Sequence, residues 1–213
     1  MENHVRLMAN MPNTSDTIET APARAIQVFQ ANVRTIEDIT KNLQSINELV
    51  EADKVTIADK INMSGGRGVG QIRYASPPLL KLFKAKCARI SLLLWRPDFN
   101  SAPDSVFNEA IRLVFLITFQ AAVFQGMYDW VSGLDRASLD DALLLLRLYS
   151  HIIDHRFRRE YEAQLRNPEQ AATARKRNTD GKRRTTVRQM LHLVWGVLIE
   201  SICHSGRREE SNS

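Results

Sequence analysis

The sequence predicts an all-α protein, a bundle of five to six helices with flexible N- and C-terminal arms. Three observations lead to this prediction. Apolar residues recur at helical spacing through most of residues 22–204. Alternation of apolar and polar residues over the length of a strand is not visible, and neither is an internal repeat. A hydrophobic content of 44% in 213 residues is enough for one core, so we expect residues 22–204 to form a single helical domain.

The first predicted helix follows a terminal arm. Residues 1–21 show no sustained period, and we expect them to be flexible. From Pro22 onwards apolar residues recur every seven positions, which predicts one long helix or two in line. The repeat consists of Phe29, Ile36, Leu43, Val50 and Ile57, with Ile39 and Ile46 between them. Asn32 and Asp53 interrupt this seam, which favours a helix packed inside the bundle over a dimerising coiled coil.

A basic loop and a second helix come next. Glycines and two prolines mark residues 64–78 as a loop, and Pro77 and Pro78 suit the first turn of a helix. One face of that helix is apolar and comprises Leu79, Leu80, Phe83, Cys87, Ile90 and Leu94. Lys81, Lys84 and Arg89 lie on the opposite face, so the pattern predicts an amphipathic helix with a basic outer surface.

The third helix is the most apolar part of the chain. Asp104 or Ser105 can cap its N-terminus, and the apolar pattern continues to about Val131. Arg112 and Asp129 bracket only sixteen residues, whereas a bilayer needs about 20. We therefore expect a buried core helix and no membrane span.

The fourth helix begins at a pattern that resembles a capping box, with Ser138 followed by Asp141. We expect it to reach about Arg166 and to turn one apolar face inward. That face comprises Leu139, Leu143, Leu146, Tyr149, Ile153 and Phe157. Residues 167–184 then form a basic connector.

The C-terminal part of the sequence predicts one more helix. Thr185 or Thr186 caps it, and its polar stripe is short enough to place the helix inside the bundle. We expect residues 205–213 to be a flexible tail. The chain shows no signal peptide, and Cys87 and Cys203 form no C-x-x-C pair. These features favour an intracellular protein, nuclear or cytoplasmic and not secreted.

Charge is distributed unevenly along the chain. Residues 60–97 carry eight Lys or Arg and no acid, which gives +8, and residues 156–188 carry +7. Because the whole chain is only +5, the remainder is strongly acidic. The segment 174–188 has seven permanent positive charges among fifteen residues. Such an uneven charge distribution says more about binding partners than about the fold. It favours a partner with an anionic surface.

Enzyme motifs are not recognisable. "GGRGVG" has neither the dinucleotide-binding nor the phosphate-loop spacing and follows no predicted strand. No local pattern of a nucleophile with a base is present, and Cys87 and Cys203 fall on apolar faces. The neighbouring carboxylates of Asp140 and Asp141 are expected at a helix N-terminus, because the helix dipole stabilises negative charge there. An enzyme therefore remains possible but is not favoured, and no cofactor is predicted.

A metal site is not predicted either. His151 and His155 are one helical turn apart and are the weak candidates for half of a site. His192, Cys203 and His204 could add a third ligand only if the fold brought them close. Nearby arginines oppose cation binding; they are Arg147, Arg156, Arg158 and Arg159.

The two basic segments predict a nucleic-acid-binding protein that contacts the phosphate backbone without strong sequence preference. RNA is favoured over DNA, and the chain suits a self-associating nucleoprotein or coat-type subunit, hence a possible homo-oligomer. The candidate contact residues are Arg67, Arg73, Lys81, Lys84, Arg89, Arg175, Lys176, Arg177, Lys182, Arg183 and Arg184. Tyr74 is available for stacking beside them.

The alternative is a helical adaptor or scaffold protein that uses residues 174–188 as a nuclear localisation signal. A split basic cluster of this size is typical of such signals as well as of nucleic-acid patches. The long apolar repeat of the first helix favours this alternative.

Overall fold

The structure is a computed structural model, which describes residues 1–11, 13, 16–62, 72–129, 139, 141–170 and 173. Its elements are α1 (Glu2–Met8), α2 (Ala23–Asn32), α3 (Ile36–Gln44), a 3₁₀ turn (Ala52–Lys54), β1 (Lys60–Asn62), β2 (Ile72–Tyr74), α4 (Pro77–Ala88), α5 (Val106–Phe124), α6 (Ala142–Ser150), a π-helical segment (His151–Phe157) and α7 (Arg158–Arg166). The predicted all-α helical fold is confirmed. The helix predicted after Thr185 or Thr186 lies outside the described residues.

α5 is the central helix, and it packs against α1, α2, α3, α4 and α6. The Ser105 side chain caps its N-terminus by accepting from the Asn108 amide at 3.3 Å, as the sequence predicted. The helix ends at Phe124, not at Val131, and Gly126 follows with a φ of +76°. Such a φ suits glycine, which has no Cβ to clash.

The core surrounds the inner face of α5. Phe115 stacks on Phe119 with ring centroids 5.7 Å apart, and it also contacts Trp95 and Tyr149. Trp95 is fully buried and donates its indole N–H to the Ile111 carbonyl at 2.8 Å. Burial of several large aromatic rings against one helix supplies much of the hydrophobic stabilisation of the fold.

The N-terminal segment differs from the expected flexible arm. α1 is buried in the core, with Val5, Leu7 and Met8 almost wholly inaccessible to solvent. Farther along, the side-chain amide of Gln164 accepts from the Ile18 N–H at 3.2 Å and donates to the Ile18 carbonyl at 2.8 Å. The segment lacks a period because α1 is only two turns long and its polar residues are buried too.

The region predicted from Pro22 as one long helix or two in line contains two short helices. α2 ends at Asn32, and α3 starts at Ile36 behind a capping box, in which Thr35 accepts from the Asp38 amide and Asp38 accepts from the Thr35 amide. Between α3 and β1 the only helical element is the 3₁₀ turn Ala52–Lys54. Ile46 is 86% exposed, so it does not belong to a buried seam. The seven-residue spacing therefore does not reflect one continuous helix face.

α4 follows the prediction closely. Pro77 and Pro78 occupy its first turn, and Leu79, Phe83 and Cys87 are buried on one face. The helix ends at Ala88, and the chain reverses through Ser91, whose φ is +59°.

α6, the π-helical segment and α7 form one continuous helical stretch. Asp141 caps it by accepting from the Leu144 amide at 2.9 Å, whereas Ser138 lies outside the described residues. Most of the predicted inward face is correct, since Leu139, Tyr149, Ile153 and Phe157 are buried. Leu143 is an exception: it is 67% exposed, and Leu145 is buried on this helix instead.

One helix among the described residues is long and apolar enough to cross a membrane, and it is α5, with a mean hydropathy of 1.5. Of its most apolar window, 56% is buried inside the fold. The core helix of a soluble protein has the same length and composition, so these properties alone do not assign α5 to a membrane.

Candidate nucleic-acid interface

The structure describes part of the predicted interface. The basic segment 174–188 lies outside the described residues, and so do its six candidate contacts, Arg175, Lys176, Arg177, Lys182, Arg183 and Arg184. Arg67 lies outside them too. Arg73 is placed by its backbone on β2, and Lys81, Lys84 and Arg89 lie on or directly after α4. The interface is therefore built here from residues 60–62 and 72–97.

The first component is an antiparallel ribbon that the sequence did not predict. Lys60 on β1 lies opposite Tyr74 on β2. Both side chains are exposed, Tyr74 to 64% of its surface. The strands have only three residues each, too few for alternation to be recognised as a pattern. Sequence reasoning counted the charge of Lys60 but did not include it in the site; the short segments "KIN" and "IRY" around the glycine-rich loop were the only signal.

The second component is the outer face of α4. Lys81 is exposed and Lys84 is half-buried. They are three residues apart, which places them on the same side of the helix, about 5–6 Å apart at their Cβ atoms. Neither forms an ion pair with an acidic residue in the part of the chain that the structure describes. Two neighbouring ammonium groups without an internal partner suit contact with successive phosphates.

Lys86 and Arg89 have a partner inside the fold. The Lys86 ammonium and an Arg89 guanidinium N–H both donate to the Leu43 carbonyl, each at 3.4 Å. Leu43 lies in the last turn of α3, where carbonyls lack helical partners and the helix dipole favours positive charge. Burial, and then the nearby Arg89, lower the pKa of Lys86. We therefore assign Arg89 a role in joining α4 to α3.

Arg96 is also engaged within the protein. It donates one N–H to the Ala9 carbonyl at 3.2 Å and forms an ion pair with Glu19. Among the described side chains of the acid-free segment, the cations without an ion-pair partner or a hydrogen bond are thus Lys60, Lys81 and Lys84. Among the described side chains of this segment, these three lysines and the exposed Tyr74 are available to contact a ligand.

The weak metal candidates do not form a cluster. His151 and His155 are both exposed, and their ring centroids are 6.5 Å apart. No group of three or more potential ligands occurs among the described residues, and His192, Cys203 and His204 lie outside them. The neighbouring Arg156 forms an ion pair with Glu2, with the shorter contact at 2.6 Å.

The described cysteine is not positioned for chemistry. Cys87 is fully buried on the inner face of α4, and burial raises the pKa of its thiol to about 12. A thiol that stays protonated at neutral pH is a poor nucleophile. Cys203 lies outside the described residues.

A buried polar cluster surrounds His4, which the sequence did not single out. His4 Nε2 lies 2.9 Å from the Thr118 hydroxyl, and Nδ1 lies 2.9 Å from the Tyr128 hydroxyl. The Thr118 hydroxyl donates its hydrogen to the carbonyls of the preceding turn, so it accepts from His4. We infer a neutral imidazole with the hydrogen on Nε2 and with Nδ1 accepting from Tyr128.

This cluster has a structural role. His4 is inaccessible to solvent and is packed against the rings of Phe83, Phe115 and Phe119. Burial, together with the charge of the N-terminal ammonium, lowers its pKa to about 3. His4 is therefore part of the aromatic core.

Two cavities lie in other parts of the described chain. One has a volume of about 340 Å³ and lies between α2 and the start of α5, with Phe29, Val33 and Phe107 among its lining residues. The other, about 520 Å³, is polar and contains the Arg96–Glu19 ion pair. Asp98 and Ser101 also line the first cavity, where the Ser101 hydroxyl donates to the Asp98 carboxylate.

Comparison with known proteins adds no relative. No family model, no curated protein and no solved structure matches this chain. The functional conclusion therefore depends on the charge and geometry of the chain itself.

Proposed function

We propose that this protein binds nucleic acid, RNA in preference to DNA, through contacts with the phosphate backbone. The observation that carries the proposal is the acid-free segment 60–97, with a charge of +8 on a chain whose total is +5. Within that segment, Lys60, Lys81 and Lys84 have no partner of opposite charge among the described residues. Lysines that the fold does not use remain available for an anionic ligand.

The kind of recognition follows from the residue types. Lysine ammonium groups are point charges that attract phosphate but do not distinguish bases. Binding then derives much of its free energy from counterion release, which makes it strongly dependent on salt. Residues 174–188 would supply a second set of phosphate contacts. We therefore propose a protein that coats or packages RNA with little sequence preference.

Self-association fits this proposal. Leu143, Leu144 and Leu148 are exposed on α6, and exposed leucines on one helix suit contact between copies. If the chain assembles on RNA, sedimentation with RNA should show complexes of several copies, and Leu143→Ser/Leu148→Ser should reduce them to one copy. Complexes of unchanged size in this variant would exclude the α6 leucines from the contact.

The test is binding to a fluorescent single-stranded RNA and to a duplex DNA over a series of salt concentrations. Lys81→Gln/Lys84→Gln should lower affinity for all sequences alike and reduce the salt slope on RNA by about 1.4, which is about 0.7 for each lost contact. Neutralising the six basic residues between 175 and 184 should reduce it by up to about 4.

The matched control removes the same charge elsewhere. Lys41 and Lys54 are exposed, and each has an acidic neighbour, Asp38 and Glu51 respectively. Lys41→Gln/Lys54→Gln should leave the salt slope unchanged. An equal loss in both double variants would mean that net charge alone governs binding, and absence of binding by the parent at low salt would refute the proposed function.

A second candidate is the nuclear adaptor, which the same exposed leucines of α6 favour as a protein-binding surface. It predicts that a fluorescent fusion accumulates in the nucleus and that neutralising residues 175–184 abolishes this. It also predicts that purified protein binds neither RNA nor DNA. Cytoplasmic fluorescence of the parent fusion would exclude this candidate.

A further inference from the structure

Tyr74 is an unusual surface residue in this fold. The residue is 64% exposed, and its ring makes no contact with another described aromatic side chain. The cations that lie over aromatic rings among the described residues are Arg6, Arg112 and Arg158, and none of them contacts Tyr74. The tyrosine ring is thus an apolar surface that the described part of the protein leaves uncovered.

The ribbon places a positive charge beside this ring. The Ala75 amide donates to the Asp59 carbonyl at 2.9 Å, and these two residues are opposite each other next to the Lys60–Tyr74 pair. Hydrogen-bonded and non-hydrogen-bonded pairs alternate in an antiparallel ladder, so Lys60 and Tyr74 form a non-hydrogen-bonded pair. In such a pair the side chains are closest, with Cβ atoms about 4.5–5.5 Å apart.

The opposite face of the ribbon has a different environment. Successive residues of a strand point to opposite faces, so Asp59 and Ala75 belong to the face away from Lys60 and Tyr74. On that second face Ala75 is buried against the protein, whereas Asp59 is exposed. On the first face Lys60 and Tyr74 are both exposed, so this face presents one ring and one ammonium group together.

We propose that Tyr74 stacks on an unpaired base while Lys60 contacts the adjoining phosphate, so that the protein selects single-stranded over double-stranded nucleic acid. This inference rests on the proposed phosphate-binding function and specifies its substrate. Aromatic side chains hold single strands by stacking, and they do so without sequence preference because every base has a flat face.

Duplex nucleic acid cannot use the same contact. Its bases are already stacked on each other, and a protein reaches a base face only after unstacking it. Lys81 and Lys84 contact phosphates in either form, whereas Tyr74 adds free energy only with a single strand. The preference for a single strand should consequently depend on one side chain.

The experiment measures dissociation constants for a mixed-sequence 12-nucleotide RNA and for the matching RNA duplex at one salt concentration. Tyr74→Leu keeps an apolar side chain but removes the ring, and it should weaken single-strand binding about 5-fold to 150-fold, the range for loss of one stacked base. Duplex affinity should stay within about two-fold. Tyr74→Phe keeps the ring and should match the parent on both probes.

The matched control is Phe124→Leu, which removes another exposed ring outside the basic segment and should leave both affinities unchanged. Single-strand binding by Tyr74→Leu within two-fold of the parent overturns the inference, and so does an equal loss on both probes. Both results leave phosphate binding intact. If the parent binds neither probe at low salt, the proposed function fails and this inference fails with it.

Discussion

Helix α1 and the ribbon with α4 show opposite uses of polar side chains. In α1 the side chains of His4 and Arg6 are buried, and each has a partner inside the protein: His4 bonds to two hydroxyls, and Arg6 bonds to Glu2 and to the Asn13 carbonyl. On the ribbon and α4, Lys60, Lys81 and Tyr74 are exposed and lack such partners among the described residues. The polar side chains of α1 thus stabilise the fold, whereas those of the ribbon and α4 are available to contact a ligand.

The largest effect is expected from removing His4, the central residue of the buried polar cluster. His4→Ala should lower the free energy of unfolding by about 3–5 kcal/mol, because it leaves a cavity and a buried Tyr128 hydroxyl without its partner. Urea denaturation followed by circular dichroism measures this loss. A loss below 1 kcal/mol would mean that the cluster around His4 does not support the core.

The pH dependence of stability tests the same cluster. The pKa of His4 is about 3 in the folded protein and about 6.5 in the unfolded chain. Because the folded pKa is the lower one, the stabilisation is complete above pH 6.5 and is lost as pH falls toward 3. Between pH 7 and 5 the expected loss is about 2 kcal/mol.

The control for this pH effect is the variant His4→Phe, which removes the titrating group. Its unfolding free energy should fall less steeply than that of the parent between pH 7 and 5. Identical slopes would show that His4 does not take up a proton on unfolding in this range.

The junction between α3 and α4 should give a smaller effect. Arg89→Gln removes a charged donor from the Leu43 carbonyl, and Lys86 remains to bond to it. We expect a loss of about 0.5–1.5 kcal/mol in the free energy of unfolding. The double variant Lys86→Gln/Arg89→Gln should lose more than the sum of the two single variants, since each cation substitutes for the other. Strict additivity would contradict a shared acceptor.

The smallest effect on stability is expected on the outer face of α4. Lys81→Gln/Lys84→Gln should change the free energy of unfolding by less than about 0.5 kcal/mol, since these lysines have no described partner to lose. The same variant should weaken RNA binding. A clear destabilisation without weaker binding would mean that these two lysines stabilise the fold and do not contact RNA.

Much of the fold could be predicted from the sequence where local signals agree. Ser105 as a cap, Pro77 and Pro78 in a first turn, and the apolar face of α4 were all recognised correctly. The break between α2 and α3 had a signal that was passed over, because Thr35 and Asp38 form a capping box within the seven-residue repeat. The seven-residue repeat continues through this capping box, so it connects residues of two different helices that do not share one face.

Other features could not be predicted because they depend on distant contacts. α1 is too short to show a period, and it is held by the hydrogen bonds that His4 forms with Thr118 and Tyr128, more than one hundred residues away. For the site, the sequence showed that residues 60–97 are basic, but it did not show which of these cations bind other parts of the fold. Only the contact with Leu43 distinguishes Arg89, which joins two helices, from Lys81, which faces solvent.

The π-helical segment His151–Phe157 fixes the direction in which α7 faces. A π-helix arises when the backbone accommodates one residue more than an α-helix would. If the same residues wound as an α-helix, the additional residue would turn α7 by about 100° relative to α6. Gln164 would then point away from Ile18, and the non-helical chain that precedes α2 would lose its two hydrogen bonds to α7. The wide turn therefore keeps α7 aligned with the residues around Ile18.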